Sequence, residues 1–162
     1  MIIIGIDPGL TGAVARIGHV DVVGSGPGSE VWDTPTAKDG KRTVFLPREM
    51  RRLLLDAIAG QACSVFIERV HSMPKQGVSS SFNFGMGYGI WIGLIHGLGY
   101  SIEHVTPNAW KKEMMAGMSK EKDASRVRAQ ELFPDADLHL VKHHGRADAL
   151  LIAEYGRRRY GS

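Results

Sequence analysis

The opening run Ile2-Ile3-Ile4-Gly5-Ile6, closed by Asp7-Pro8-Gly9, constrains this chain more than any other stretch. A short, unbroken apolar run rich in β-branched residues reads as a buried strand. Gly12 to Ile17 gives a second strand signal, joined to the first by the Gly-rich turn Pro8-Gly9-Leu10-Thr11, so two antiparallel neighbours are predicted. Asp7 then stands at the C-terminal edge of a buried strand, beside a tight turn. A turn-forming aspartate is common before Pro-Gly. A metal ligand or acid–base group is the other reading, and the sequence supports both equally.

The following segments extend that start into a mixed plan. Val20 to Val23 and Glu30 to Thr34 give short strand signals on either side of Gly24-Ser25-Gly26-Pro27-Gly28, and Asp39-Gly40-Lys41 marks a loop. From Pro47, the apolar residues Met50, Leu53, Leu54, Ala57 and Ile58 recur at helical spacing, with Gly60 after the end. Ser64 to Val70 reads as a buried strand carrying Glu68 near its end. In Ser79 to Leu98, Gly85, Gly89, Gly93 and Gly97 fall every fourth residue and form one smooth ridge on a helix. Each costs about 1 kcal/mol relative to alanine there, so close packing on the sheet, another helix or a second subunit is expected. Tyr100 to Val105 reads as a strand and Pro107 to Met115 as a short helix. A longer polar helix spans Ser119 to Phe133, opened by a Ser cap and stopped before Pro134. A last helix runs from Gly145 to Arg158. Antiparallel strands, then helix, strand, helix, strand and closing helix, with a right-handed crossover, is an α/β plan that excludes all-helical and all-β folds. At 162 residues one domain over 1–162 is expected.

The formal charge is only +3, but the pI is about 9.1 and the basic residues crowd into the second half, a distribution that favours a polyanionic partner. The single cysteine, Cys63, cannot form an internal disulfide, and a reducing compartment fits. The N-terminus has neither a basic region nor a cleavage site. The longest apolar stretch, Phe82 to Leu98, contains Asn83 and His96 and is shorter than the roughly 20 residues of a membrane span. No membrane association and a cytoplasmic location are therefore expected.

Four residues place metal-binding or acid–base groups where apolar elements begin or end: Asp7, Glu68, His144 and Asp148. Within Val65-Phe66-Ile67-Glu68-Arg69-Val70, Glu68 could equally pair with Arg69 or face solvent. His144 and Asp148 are four residues apart and so project from one helical face. Asp148 could instead serve only the helix dipole, but its neighbours Ala147, Ala149, Leu150 and Leu151 make an exposed position uncomfortable. Asp, Glu and Asp with one His suit Mg²⁺ or Mn²⁺, since hard cations take oxygen ligands, and suit Zn²⁺ less well. Two such ions about 3.5–4 Å apart can clamp a scissile phosphate.

These segments match a family pattern. Ile4-Gly5-Ile6-Asp7-Pro8-Gly9, Phe66-Ile67-Glu68-Arg69-Val70 and the stretch from Lys142 to Ala153 resemble, in order and spacing, the three acidic motifs of RuvC-type Holliday-junction resolvases. Gln76 to Phe82 with the glycine-rich helix, and Thr106-Pro107-Asn108-Ala109-Trp110-Lys111, look like further family segments, particularly of phage-type members. The resemblance implies an RNase H-like mixed five-stranded sheet flanked by helices. It also implies an endonuclease that hydrolyses phosphodiesters of branched DNA with two Mg²⁺ ions per site, Mn²⁺ substituting, and acts as a homodimer that makes paired symmetric cuts. Asp7 would bridge both ions, Glu68 and Asp148 would bind one each, and His144 would ligate, transfer a proton or contact phosphate. Lys111, Lys112, Lys120, Lys122, Arg126, Arg146, Gln76 and Ser79 would contact DNA, largely its phosphates. Relatives often place an aromatic wedge shortly after the central Glu, where this chain has His71, Met73 and Pro74.

Three rival readings are weaker or unresolved. Asp7 to Gly12 also resembles the phosphate hairpin of sugar and acetate kinases, but those enzymes need two lobes. A non-catalytic DNA binder would gain nothing from carboxylates set beside phosphate. A broader RNase H-like nuclease acting on forks, flaps or hybrids stays open on sequence alone.

Overall fold

The computed structural model describes residues 1–18, 28–70, 77–119, 121 and 123–160. A central sheet of five strands has the order β3-β2-β1-β6-β7, built from β1 (Ile2–Asp7), β2 (Ala13–Ile17), β3 (Ser29–Asp33), β6 (Cys63–Glu68) and β7 (Ile102–Val105). β1 pairs antiparallel with β2 and parallel with β6, as the short turn after β1 and the helical crossover to β6 require. The signal at Val20 to Val23 lies outside the described residues. Asp39-Gly40-Lys41, expected as a loop, belongs to a hairpin of β4 (Thr36–Asp39) and β5 (Arg42–Phe45), turned at Gly40 with φ +58°. These strands are short and polar, so they carry little alternation to read.

The pleat sorts side chains between two cores. Ile2, Ile4 and Ile6 of β1 join Val65 and Ile67 of β6 beneath α1 (Pro47–Ile58) and α2 (Val78–Gly97), where Met50, Leu54, Trp91 and Ile95 are buried. Ile3 and Phe66 point to the other face and pack with α3 (Pro107–Met114), α4 (Ala124–Leu132) and α5 (His144–Tyr160). α5 lies flush on β1 because Gly5 has no side chain: a Cβ there would sit 2.3 Å from the Ala149 carbonyl oxygen. α4 starts later than a Ser119 cap predicts, since the Ser119 hydroxyl accepts instead from the Glu121 amide at 3.4 Å.

The glycine ridge of α2 differs from the expectation of close packing on the sheet or another helix. A Cβ on Gly85, Gly89, Gly93 or Gly97 would meet nothing within 4 Å. The packed face of α2 carries Gly87, Trp91 and Ile95 instead. Gly87 makes the close approach, with space for a Cβ only 2.4 Å from the Pro8 carbonyl oxygen. Among the described residues no helix is long and apolar enough to cross a membrane.

Candidate active site

Strand parity brings the first two carboxylates together. Asp7 has the parity of Ile3 and Gly5, and Glu68 that of Phe66, so both project toward the α5 face. The parallel register that pairs Ile6 with Ile67 puts Asp7 and Glu68 one step further along, at the C-terminal ends of adjacent central strands. α5 supplies Asp148 from above, on the buried turn that includes Ala147 and Ala149. Three separate elements thus converge on one sheet edge, where open α/β sheets generally bind their ligands.

The electrostatics record how close the convergence is. Burial pushes the Asp7 carboxyl up to about 7, with the Asp148 and Glu68 charges adding to it and the Gly9 amide and Lys111 opposing it. Asp148 rises to about 6, again through burial first; Lys111 opposes, Glu68 adds, and a Ser125 hydrogen bond and the nearby His144 pull it down. Asp7 also accepts a 3.3 Å hydrogen bond from the Gly9 amide at its Oδ1. The turn-forming and ligand readings of this residue are therefore compatible. Asp148 Oδ1 is buried without a hydrogen-bond partner, an arrangement that is costly unless something fills it. Mutually repelling carboxylate oxygens, one of them orphaned, are a donor set fitted to a hard divalent cation.

α3 supports this cluster. Pro107 occupies its first turn and the Thr106 hydroxyl caps it, accepting from the Ala109 amide at 3.3 Å. Trp110, fully buried, donates its indole N–H to Glu68 Oε1 at 3.0 Å. Glu68 is thus held by Trp110 rather than by Arg69. The next residue, Lys111, is exposed but acts on both Asp7 and Asp148. The sequence marks Trp110-Lys111 as part of a motif but does not show that the indole holds the central carboxylate. A cleft beside Asp7 is lined by Gly9, Leu10, Thr11, Ser80, Asn83 and Phe84.

The expected DNA contacts divide. Lys111, Lys112 and Ser79 are exposed. Lys120, Lys122, Gln76 and the wedge candidates His71, Met73 and Pro74 lie outside the described residues. Arg126 is engaged internally, bonding Asp123 through two nitrogens and the Leu138 carbonyl at 2.9 Å. Arg146 is held by Asp33 at 2.6 and 2.8 Å and by Asp137 at 2.6 Å, tying the start of α5 to β3. These fork geometries satisfy the guanidinium donors within the fold, so neither arginine is presented as a free phosphate contact.

No protein-family model matches the chain. Holliday junction resolvase MOC1, chloroplastic, of Chlamydomonas reinhardtii is 33% identical over 148 residues, covering 77% of this chain; the chain spans 17% of the length of that relative. Among solved structures, Thermus thermophilus RuvC superposes with a TM-score of 0.66 at 16% identity, covering 99% of this chain and 97% of that one. The T. thermophilus RuvC in complex with Holliday junction substrate gives 0.68 at 16% identity, covering 99% and 96%. The five-stranded mixed sheet flanked by helices is thus the RuvC, RNase H-like fold.

Proposed function

We propose that this chain is a Holliday-junction resolvase of RuvC type, one nuclease domain over residues 1–162 that hydrolyses phosphodiesters in branched DNA. The observation that carries the reading is the convergence of Asp7, Glu68 and Asp148 on one end of the sheet, with a buried, unpartnered oxygen on Asp148. Asp7, Glu68 and Asp148 would hold two divalent cations, Mg²⁺ with Mn²⁺ as substitute. Such ions, when bound, activate water and neutralise charge on the reacting phosphate. His144, on the same side of α5 as Asp148, would ligate or take the proton of the attacking water. Trp110 positions Glu68, and Lys111 offers a positive charge to the phosphate beside the carboxylates.

Lys111, Lys112 and Ser79 are the described groups available to DNA, with Lys120, Lys122 and Gln76 completing the set. Arg126 and Arg146 hold the scaffold. Paired cuts on a junction call for two sites related by two-fold symmetry, hence a homodimer. The open glycine ridge of α2, beside exposed Val78, Phe82 and Met86, is the surface on which a second copy would pack.

Cleavage of a labelled four-way junction in Mg²⁺, compared with duplex, fork and RNA–DNA hybrid and with Asp7→Asn as control, tests the reading. Paired symmetric nicks lost in the variant are expected. Equal cutting of fork or hybrid would instead indicate a broader nuclease, and tight binding without cleavage would overturn the catalytic reading.

A further inference from the structure

A second group of ligating side chains lies on the segment that leads from α4 into α5. Asp137, His139 and His143 each offer one donor atom, and the three atoms lie within 4.8 Å of one another. His139 Nδ1 is 2.5 Å and His143 Nδ1 3.8 Å from the same oxygen, Asp137 Oδ1. The carboxylate's other oxygen is occupied by Arg146 at 2.6 Å, which leaves Oδ1 directed to the two rings. The Arg146 charge is itself met by both oxygens of Asp33.

His143 supplies an independent pointer to a ligand. The residue is 4% exposed, and its Nδ1 is buried with no hydrogen-bond partner. Its backbone is fixed: the amide donates to the Leu140 carbonyl at 3.0 Å, and its own carbonyl accepts from the Ala147 amide at 3.1 Å. A buried imidazole nitrogen normally bonds to something. Here the groups facing it are Asp137, His139, Asp33 and Arg146.

We propose that Asp137, His139 and His143 form a binding site for a transition-metal ion of the zinc class, which clips the α4–α5 segment onto the start of α5. Two imidazoles and one carboxylate suit Zn²⁺ and not Mg²⁺. His139 and His143 have the spacing H-x₃-H common among zinc ligands. Bond lengths of about 2.0–2.2 Å in a tetrahedral site set neighbouring donors roughly 3.3 Å apart, between the two separations observed. Closing the site requires the His139 ring, which is 69% exposed, to move off Asp137 and the His143 nitrogen to draw slightly nearer to it. Water takes the fourth position. Because His143 immediately precedes His144, an ion here fixes the first turn of the helix that carries His144 and Asp148.

The test uses the full chain, stripped with chelator and titrated with Zn²⁺ by calorimetry, alongside an Asp7→Asn/Asp148→Asn form that silences the carboxylate cluster. One zinc is expected to bind both proteins, to raise their melting temperature and to resist excess Mg²⁺. His139→Ala, at an exposed position, and Asp137→Asn should each weaken binding at least about tenfold, the scale of losing even a second-shell partner. Cobalt substituted for zinc should give the visible absorption of a four-coordinate ion, absent in His139→Ala. No zinc uptake, unchanged affinity in His139→Ala, or binding that disappears in the Asp7→Asn/Asp148→Asn form would each overturn the proposal.

Discussion

α5 and α2 lie on opposite faces of one sheet, and each carries glycines, but the two helices use them differently. On α5, a Cβ at Gly145 would fall 2.0 Å from the Thr11 carbonyl oxygen, and one at Gly156 would fall 2.4 Å from the Phe66 ring. Both are contact points that let the helix press on β1, β2 and β6. On α2 only Gly87 makes such a contact, while Gly85, Gly89, Gly93 and Gly97 face open space. α5 is buried through most of its length. The proposed chemistry lies where the backbone is held most tightly, as a preorganised site needs. The ridge of α2 carries the helix-propensity cost without an intramolecular return, which is why it is the surface proposed for a second copy.

The largest expected effect falls on the α5 side. Asp148→Asn should lower the proposed junction cleavage by roughly 10²–10⁴-fold, the scale of losing a group that acts directly on the reacting centre, measured as single-turnover nicking in Mg²⁺. Cleavage within a few fold of the parent would place the chemistry elsewhere.

Gly145→Ala comes next. The added methyl meets backbone at Thr11 and Gly12 rather than a flexible side chain, so overpacking should cost about 1–3 kcal/mol or more, read from chemical denaturation. It should also reduce cleavage, because His144 and Asp148 ride on the displaced turn.

Asp7 and Asp148 give the comparison a pH dependence. Their carboxyls are raised from 3.8 to about 7 and about 6. A carboxyl raised in the folded state contributes stability that is present below its unfolded value and lost as pH rises through the folded one. Metal-free protein should therefore lose stability from about pH 4 to about pH 7, and Asp7→Asn/Asp148→Asn should flatten that slope. Mg²⁺ must displace those protons, so the rise in melting temperature it produces should grow from acid to neutral pH. A pH-independent Mg²⁺ effect would remove the carboxylates from the binding site.

The smallest effect belongs to α2. Gly93→Ala should stabilise the monomer by about 0.5–1 kcal/mol, since the alanine is a better helix former and meets nothing. The same methyl should weaken the proposed association of two copies, seen in sedimentation. Destabilisation of the monomer would show that the ridge is packed after all and would erase the contrast between the helices.

Much of the candidate site was legible in the chain. Asp7 and Glu68 were visible because each interrupts an apolar strand at its end, and Asp148 because it stands among residues that resist exposure. The i, i+4 relation of His144 and Asp148 places both on one helical face from the sequence alone. Trp110 was legible only as part of a motif: that its indole N–H reaches Glu68, 42 positions away, follows from how α3 crosses the end of β6. Arg126 and Arg146 look like phosphate ligands in a one-dimensional string, yet both are claimed within the fold: Arg126 by its near neighbour Asp123 and the Leu138 carbonyl, and Arg146 by Asp33 across 113 positions. The β4–β5 hairpin has little pattern to read because its four-residue strands are mostly exposed and bury only Phe45.

Local chemistry in the sequence determined the strand parity, the turn after Asp7, the proline starts of α1 and α3, and the acidic character of the site. These depend on near neighbours and on which residues tolerate water. Tertiary structure alone decided which face of α2 packs, which cations stay available, and that Asp137, His139 and His143 gather around a single carboxylate oxygen. The first two depend on contacts between segments that are mostly distant in the chain, where free energy is set by the fit of whole surfaces; the third pairs near neighbours in sequence, and only the fold turns their side chains onto one oxygen.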